Sequence, residues 1–357
     1  MKRLFALLLA LTLALCALSA MAEEAAAPEG TAMPEHGQRP EGLDGPGDGE
    51  PGDGGPGDGE PGDGLERGGA GGRPGGGMAA SSEPDEALQA ILDEVQDKYE
   101  LLSFTDEASG ITLQYQLFKP EGYADGGEYP LLMFIPDSRA PGRDPSYVLS
   151  IGWGGVVWAT AEEQAKHPCF VMIPVFTETV VDDNFNTSDQ IDVAVRIIES
   201  LCETYPIDTS RIYTTGQSMG GMTSFHLNVA YPELFAASLF VGSQWDNSIL
   251  DVLEEDSFFY IVSAGDDKAS TGQTGLKAVF DADGVAYASA EWSAQDDIDA
   301  QNAAVEALIA QGCNANFVTF TKGTTLAEGQ GGSEHLTSFD YAYQLEAVRD
   351  WLFEQSR

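Results

Sequence analysis

The chain has 357 residues, with 17 Lys or Arg against 58 Asp or Glu, a formal net charge of −41. That acidity argues against nucleic acid and anionic membrane surfaces as partners, because their phosphates would be repelled. A hydrophobic content of 43% is enough for a sizeable core, and four cysteines in this length exclude a small disulfide scaffold.

The first 22 residues read as a secretory signal. Lys2 and Arg3 give a basic start, Leu4 to Leu18 is an uncharged apolar run, and Ala20-Met21-Ala22 supplies the small-x-small cleavage pattern. The run is shorter than the ~20 residues of a membrane span. Cys16 is preceded by Leu15 where lipidation signals want a small residue. The expectation is an exported protein, extracellular or at the cell surface, with no stable membrane insertion after cleavage. Residues 23–86 then form an acidic Gly/Pro-rich linker, with PGDG units in tandem from Pro46 to Gly64 and GGAGGRPGGG after them. Such a stretch has nothing to bury and should be extended by self-repulsion. Its Asp-Gly spacing lacks the terminal Glu of a calcium-binding loop, so it is read as a solvated spacer.

Residues 87–357 mix charge with apolar periodicity and are the size of one α/β domain. Cys169, Cys202 and Cys313 are an odd number, so at least one thiol is free whatever the pairing. Cys202 falls on a predicted helix and reads as a small buried hydrophobe. There is no CxxC, Cys/His cluster or Gly-rich phosphate loop, so no metal or cofactor is expected.

Ile111–Phe118 alternates like a strand with one solvated face. Leu131–Pro136, Phe170–Phe176, Ala237–Gly242, Phe258–Ser263 and, more weakly, Phe317–Lys322 are continuously apolar instead. Helical periods occupy Asp189–Tyr205, Gly275–Ala282, Ala300–Gly312 and Ser338–Gln355. Continuously apolar strands separated by helices indicate a mostly parallel sheet covered on both faces, an α/β class. Ala286–Trp292 resists placement.

The informative stretch is Arg211-Ile-Tyr-Thr-Thr-Gly-Gln-Ser-Met-Gly-Gly-Met. A short strand, Ile212–Thr215, runs into Gly216-Gln217-Ser218-Met219-Gly220, which opens a helix. This is the G-x-S-x-G nucleophile elbow in the context that gives it meaning. The turn is tight enough to need glycine at 216 and 220. It pushes the Ser218 hydroxyl out at a helix N-terminus, where the Met219 N–H can meet a developing oxyanion.

With Asp208-Thr-Ser before it, this block resembles the D-x-x-R-I-Y-x-x-G-x-S-M-G-G segment of secreted α/β-hydrolase serine esterases. These are the feruloyl esterase and polyhydroxybutyrate depolymerase-like group, related to the catalytic domains of prolyl oligopeptidases. Looser resemblance lies in Tyr115–Tyr123, Tyr129–Phe134, Pro232–Ala237 and Trp351–Phe353. It implies an α/β-hydrolase fold over roughly residues 101–357 and the chain order Ser, acid, His.

Of the four histidines, His36 lies in the spacer, and His167 and His226 precede the acid position. His335, between the last strand and the C-terminal helix, is the expected base, because a Ser hydroxyl needs a neighbouring imidazole to take its proton. The orienting carboxylate is expected just past Phe258–Ser263, where Asp266 is preferred and Asp267 is the alternative. Related enzymes have His-Gly-x-Gly after the strand at 131–136, whereas this chain has Pro136-Asp137-Ser138-Arg139. The N–H of Asp137 or Ser138 could complete an oxyanion hole with Met219. A carboxylate there is unhelpful unless Asp137 turns away or pairs with Arg139. Trp153, Gln217 and Trp245 are the candidate pocket residues.

The resemblance implies a serine hydrolase acting on small esters or acylated polysaccharide. A peptidase with the same triad and a silent binding module on an acidic stalk are the competing readings. The sequence says nothing of oligomeric state.

Overall fold

The computed structural model describes residues 85–326 and 331–357. The signal segment at 1–22 and the linker up to residue 84 lie outside them. The linker expected to run to residue 86 gives way slightly earlier: Asp85 caps a helix, α1 (Glu86–Val95), with its carboxylate accepting the Leu88 N–H at 2.8 Å. Leu88, Leu92 and Val95, spaced one helical turn apart, are the buried face of that helix.

The described residues form a nine-stranded sheet of β1 (Glu100–Thr105), β2 (Thr112–Phe118), β3 (Tyr129–Ile135), β4 (Phe170–Val175), β5 (Ile207–Gln217), β6 (Ala237–Val241), β7 (Phe258–Ser263), β8 (Tyr287–Trp292) and β9 (Ala315–Phe320). The order across the sheet is β1-β2-β4-β3-β5-β6-β7-β9-β8. β2 runs antiparallel to both β1 and β4, and every other pairing is parallel. The remaining helices are α2 (Ala161–Lys166), α3 (Gln190–Thr204), α4 (Met219–Ala230), α5 (Asp267–Asp283), α6 (Ile298–Ile309), α7 (Glu334–Gln344) and α8 (Glu346–Glu354).

The continuous apolar strands are explained by the two cores they separate. Along β3, Leu131, Met133 and Ile135 enter one core, while Leu132 and Phe134 enter the other. One core is completed by α3, α4 and α5, the other by α1, α7, α8 and the segment around Trp158. Both faces of the inner strands are dry, and the buried serines of β6 and β7, Ser238 and Ser263, each spend their hydroxyl on a hydrogen bond. Cys169, Cys202 and Cys313 are all free thiols.

Three elements differ from the sequence reading. The stretch at 286–292 is β8, an edge strand paired only with β9, and its half-exposed pattern reflects that position. β1 carries no continuous apolar run because it is the opposite edge. The helix expected over Ser338–Gln355 is two helices broken at Leu345, whose backbone is extended and whose side chain is fully buried.

Arg349 closes that break. Its guanidinium donates to the Tyr343 carbonyl at 2.5 Å and to Glu163 Oε2, on α2, at 2.8 Å. Glu163 is 2% exposed, and its other oxygen has no partner among the described residues. Removing the cation would strand a buried carboxylate. Arg349→Met is therefore expected to cost about 3–5 kcal/mol in unfolding free energy by urea denaturation, against under 1 kcal/mol for an exposed pair such as Lys98–Glu94. A loss of similar size for both pairs would contradict this.

Candidate active site

β5 ends at Gln217 and α4 begins at Met219, so the whole reversal falls on Ser218. Its φ of 53° and ψ of −119° lie outside the ordinary regions for a side-chain-bearing residue. Phe185 is the one other non-glycine with positive φ among the described residues. Such strain persists only where the surroundings over-determine it. Here they do. A Cβ on Gly220 would overlap the Ile135 carbonyl at the end of β3, and one on Gly216 would overlap the Gly220 backbone. The Ser218 N–H is held by the Val241 carbonyl of β6 at 3.0 Å.

His335 Nε2 lies 2.8 Å from Ser218 Oγ, and its Nδ1 meets Asp266 Oδ2. Asp266 is 7% exposed, and its second oxygen caps α5 by accepting the Ala269 N–H at 3.2 Å. Asp267 is the exposed first residue of α5, so the acid that reaches the base is Asp266. The ring of His335 packs edge-on against Phe339, and Ser338 Oγ donates to its carbonyl at 2.9 Å. The other described histidines are occupied elsewhere. His167 pairs with Asp350 at 2.8 Å and stacks on Phe353, while His226 sits on α4 beside Trp245, its pKa lowered by burial.

Asp137 is 1% exposed and its carboxylate is saturated. Oδ1 accepts the backbone N–H and Nε of Arg139, both at 2.9 Å. Oδ2 accepts Arg139 Nη2 at 2.7 Å and Gln217 Nε2 at 2.8 Å. It is thereby paired with Arg139. Ser138 instead lines the cavity next to Ser218 and Met219. Neither its N–H nor that of Met219, which opens a helix and lacks an intrahelical acceptor, meets a protein acceptor among the described residues. Two peptide donors therefore remain free near one hydroxyl, an arrangement able to hold an oxyanion.

The cavity has a volume of about 510 Å³. One wall is Met219, Met222 and Ala269; another is Val181, Asp182 and Asp183 from the loop after β4. Lys268 and Asp183, 2.6 Å apart, join α5 to that loop. The three expected pocket residues do not line it. Gln217 is fully buried and is spent on Asp137. Trp245 is 4% exposed and packs on Phe185, with ring centroids 5.1 Å apart. Trp153 packs against the opposite core, its backbone N–H donated to Asp340 at 2.8 Å. Sequence reasoning missed the 179–183 wall and Lys268. Their signal was position, just beyond the C-terminal ends of parallel strands.

No protein-family model and no curated protein sequence matches the chain. Its structure is similar to the crystal structure of a thermostable esterase, with a TM-score of 0.59 and 25% identity. The fold is the α/β-hydrolase fold. That alignment covers 74% of this chain and 64% of the esterase, so the chain spans less than two thirds of that protein's length. A mutant of the feruloyl esterase module from Clostridium thermocellum complexed with sinapinate aligns over 76% of this chain and 94% of its own, at 13% identity and a TM-score of 0.48. A ferulic acid esterase aligns at 11% identity and a TM-score of 0.47, over 72% and 98%. Neither of these two bears on activity.

Asp340, the anchor of Trp153, gives a pH test of the site's support. Burial pushes its carboxyl up to about 6, while the Trp153 N–H and the nearby Arg139 act in the opposite sense. Between about 3.9, the free Asp value, and 6 the native state keeps a proton that the unfolded chain has released. Stability from this group is thus fully present below that window and lost as pH rises through it. Asp340→Asn retains an oxygen for the Trp153 N–H and removes that loss. Its melting temperature should match the wild type near pH 4 and exceed it by a few degrees at pH 8. An offset that does not change with pH would contradict the assignment.

Proposed function

We propose that the protein is a serine hydrolase that cleaves carboxylic esters through an acyl-enzyme. The observation that carries this is the unbroken line from Ser218 Oγ through both nitrogens of His335 to Asp266, at the apex of a strained strand-to-helix turn. In the first half-reaction Ser218 Oγ attacks the ester carbonyl as His335 Nε2 takes its proton. Asp266 orients the ring and stabilises the imidazolium. The carbonyl oxygen, now an anion, accepts from the N–H groups of Met219 and Ser138. His335 then gives the proton to the leaving alcohol. Water repeats the sequence on the acyl-enzyme, releasing the acid and restoring Ser218.

Ester rather than amide is supported by the likeness to the thermostable esterase. The cavity volume is within the range of small-molecule sites and leaves room for a modest acyl group against Met219 and Met222. The finer reading, removal of acyl or feruloyl groups from polysaccharide by an exported enzyme, follows the sequence resemblance and the segment at residues 1–22. The pairing of Asp137 with Arg139 weighs against a silent binding module.

The purified protein should react with a fluorophosphonate probe and hydrolyse 4-nitrophenyl acetate and butyrate. Ser218→Ala and His335→Ala should each lower kcat by about 10³-fold or more. Aminoacyl-anilides should be poor substrates, and their hydrolysis without ester hydrolysis would favour a peptidase. A folded wild type that the probe does not label would rule the serine-hydrolase reading out.

Arg139→Met leaves the buried Asp137 carboxylate without its main partner, close to the oxyanion donors. It should lower kcat about tenfold with KM little changed, as for loss of an interaction made in the transition state. A rise in KM alone would contradict that role.

A further inference from the structure

Glu334 precedes His335 in the chain and has no part in the chemistry above. One of its carboxylate oxygens nevertheless receives bonds from two other segments. Ser263 Oγ donates to Oε2 at 2.7 Å, and the Gly323 N–H donates to the same atom at 2.8 Å. Ser263 is the fully buried last residue of β7, and Gly323 lies just beyond β9. The Ser263 hydroxyl also accepts the Gly265 N–H at 3.2 Å, and the Ser263 carbonyl accepts the Asp266 N–H at 3.0 Å. The hydroxyl's single proton is therefore committed to Glu334.

A single oxygen thus joins the turn that carries Asp266, the segment leaving β9, and the first residue of the helix that presents His335. Gly265 lies directly beneath it, and a Cβ there would overlap the Glu334 carboxylate. The close approach is built from both sides. The His335 carbonyl is also held, by Ser338 Oγ within the same helix.

We infer that Glu334 is a positioning residue that, together with Ser263, fixes the separation of Asp266 and His335 and so keeps the imidazole in line with Ser218. The inference rests on the serine-hydrolase reading above. Glu334 touches no reacting atom; it acts through the two loops that carry the base and the acid. Displacement of a catalytic group by about 1 Å costs on the order of 100-fold in rate.

The test uses the full-length protein, a fluorophosphonate probe and 4-nitrophenyl butyrate. Glu334→Ala should lower kcat and the labelling rate about 10- to 100-fold, with KM within about twofold of the wild type. Glu334→Gln should keep most of the activity, because its amide oxygen can accept both bonds. Ser263→Ala should fall in the same direction as Glu334→Ala, and the double variant should be no slower than the worse single one, since the two residues act as one unit. Wild-type labelling by a folded Glu334→Ala protein would overturn the inference. So would a Glu334→Gln protein as slow as Glu334→Ala. If Glu334→Ala does not fold, Ser263→Ala decides, and its labelling at the wild-type rate would overturn the inference equally. An unlabelled wild type would instead strike the serine-hydrolase reading itself.

Discussion

The contact on which the site depends is the approach of the first turn of α4 to the end of β3, with Gly220 against the Ile135 carbonyl. Ile135 pairs in register with Gly216, so the strand before Ser218 and the helix after it are both referenced to one point on β3. That point also begins the run to Ser138, three residues on. The placement of the two free peptide donors, Met219 and Ser138, is thereby tied to backbone packing at that point. A side chain at position 220 would lift the helix from the strand, open the space between those donors and relax the turn that exposes the Ser218 hydroxyl. The strain at Ser218 and the placement of the two free N–H groups are two consequences of the same steric fact.

Sheet order supplies the rest. Parallel strands release their following segments at one edge, so residues far apart in sequence meet there. Ser218 follows β5, Asp266 follows β7 and His335 enters after β9. β6 lies between β5 and β7, placing the strand ends that lead to Ser218 and Asp266 roughly two strand spacings, about 10 Å, apart. One imidazole flanked by two short side chains spans such a gap. Asp266 also caps α5, so the helix N-terminus fixes the carboxylate before His335 reaches it.

Legibility in the sequence followed how strongly burial constrained each stretch. The inner strands were readable because both faces are dry, and the elbow because its glycines are sterically forced. β1 and β8 were not, since an edge strand needs only a partial apolar face. The break at Leu345 was hidden because a buried leucine fits a helical period whether or not the helix continues, and only the tertiary bond from Arg349 to the Tyr343 carbonyl marks it. The meeting of Ser218, His335 and Asp266 could be anticipated because chain order and the scarcity of histidine left few choices. The pocket walls could not. Trp153 and Trp245 emerge at the correct end of the sheet, but where they settle depends on partners that sequence spacing does not reveal: Asp340, which holds the Trp153 backbone N–H, and Phe185, on which the Trp245 ring packs.

Asp137 shows how a residue that looks hostile to the chemistry can serve its geometry. A bare carboxylate beside a developing oxyanion would raise the barrier, most of all in a domain already rich in acidic side chains. Bidentate pairing with Arg139 converts that charge into a dipole whose field falls off faster. The fourth bond, from Gln217, then ties the β3 loop to the residue immediately before the nucleophile. The Ser138 and Met219 segments are thus joined by side-chain hydrogen bonds as well as by the backbone contact at Gly220. This chain holds the loop after β3 with an ion pair whose carboxylate is buried and whose guanidinium is partly exposed.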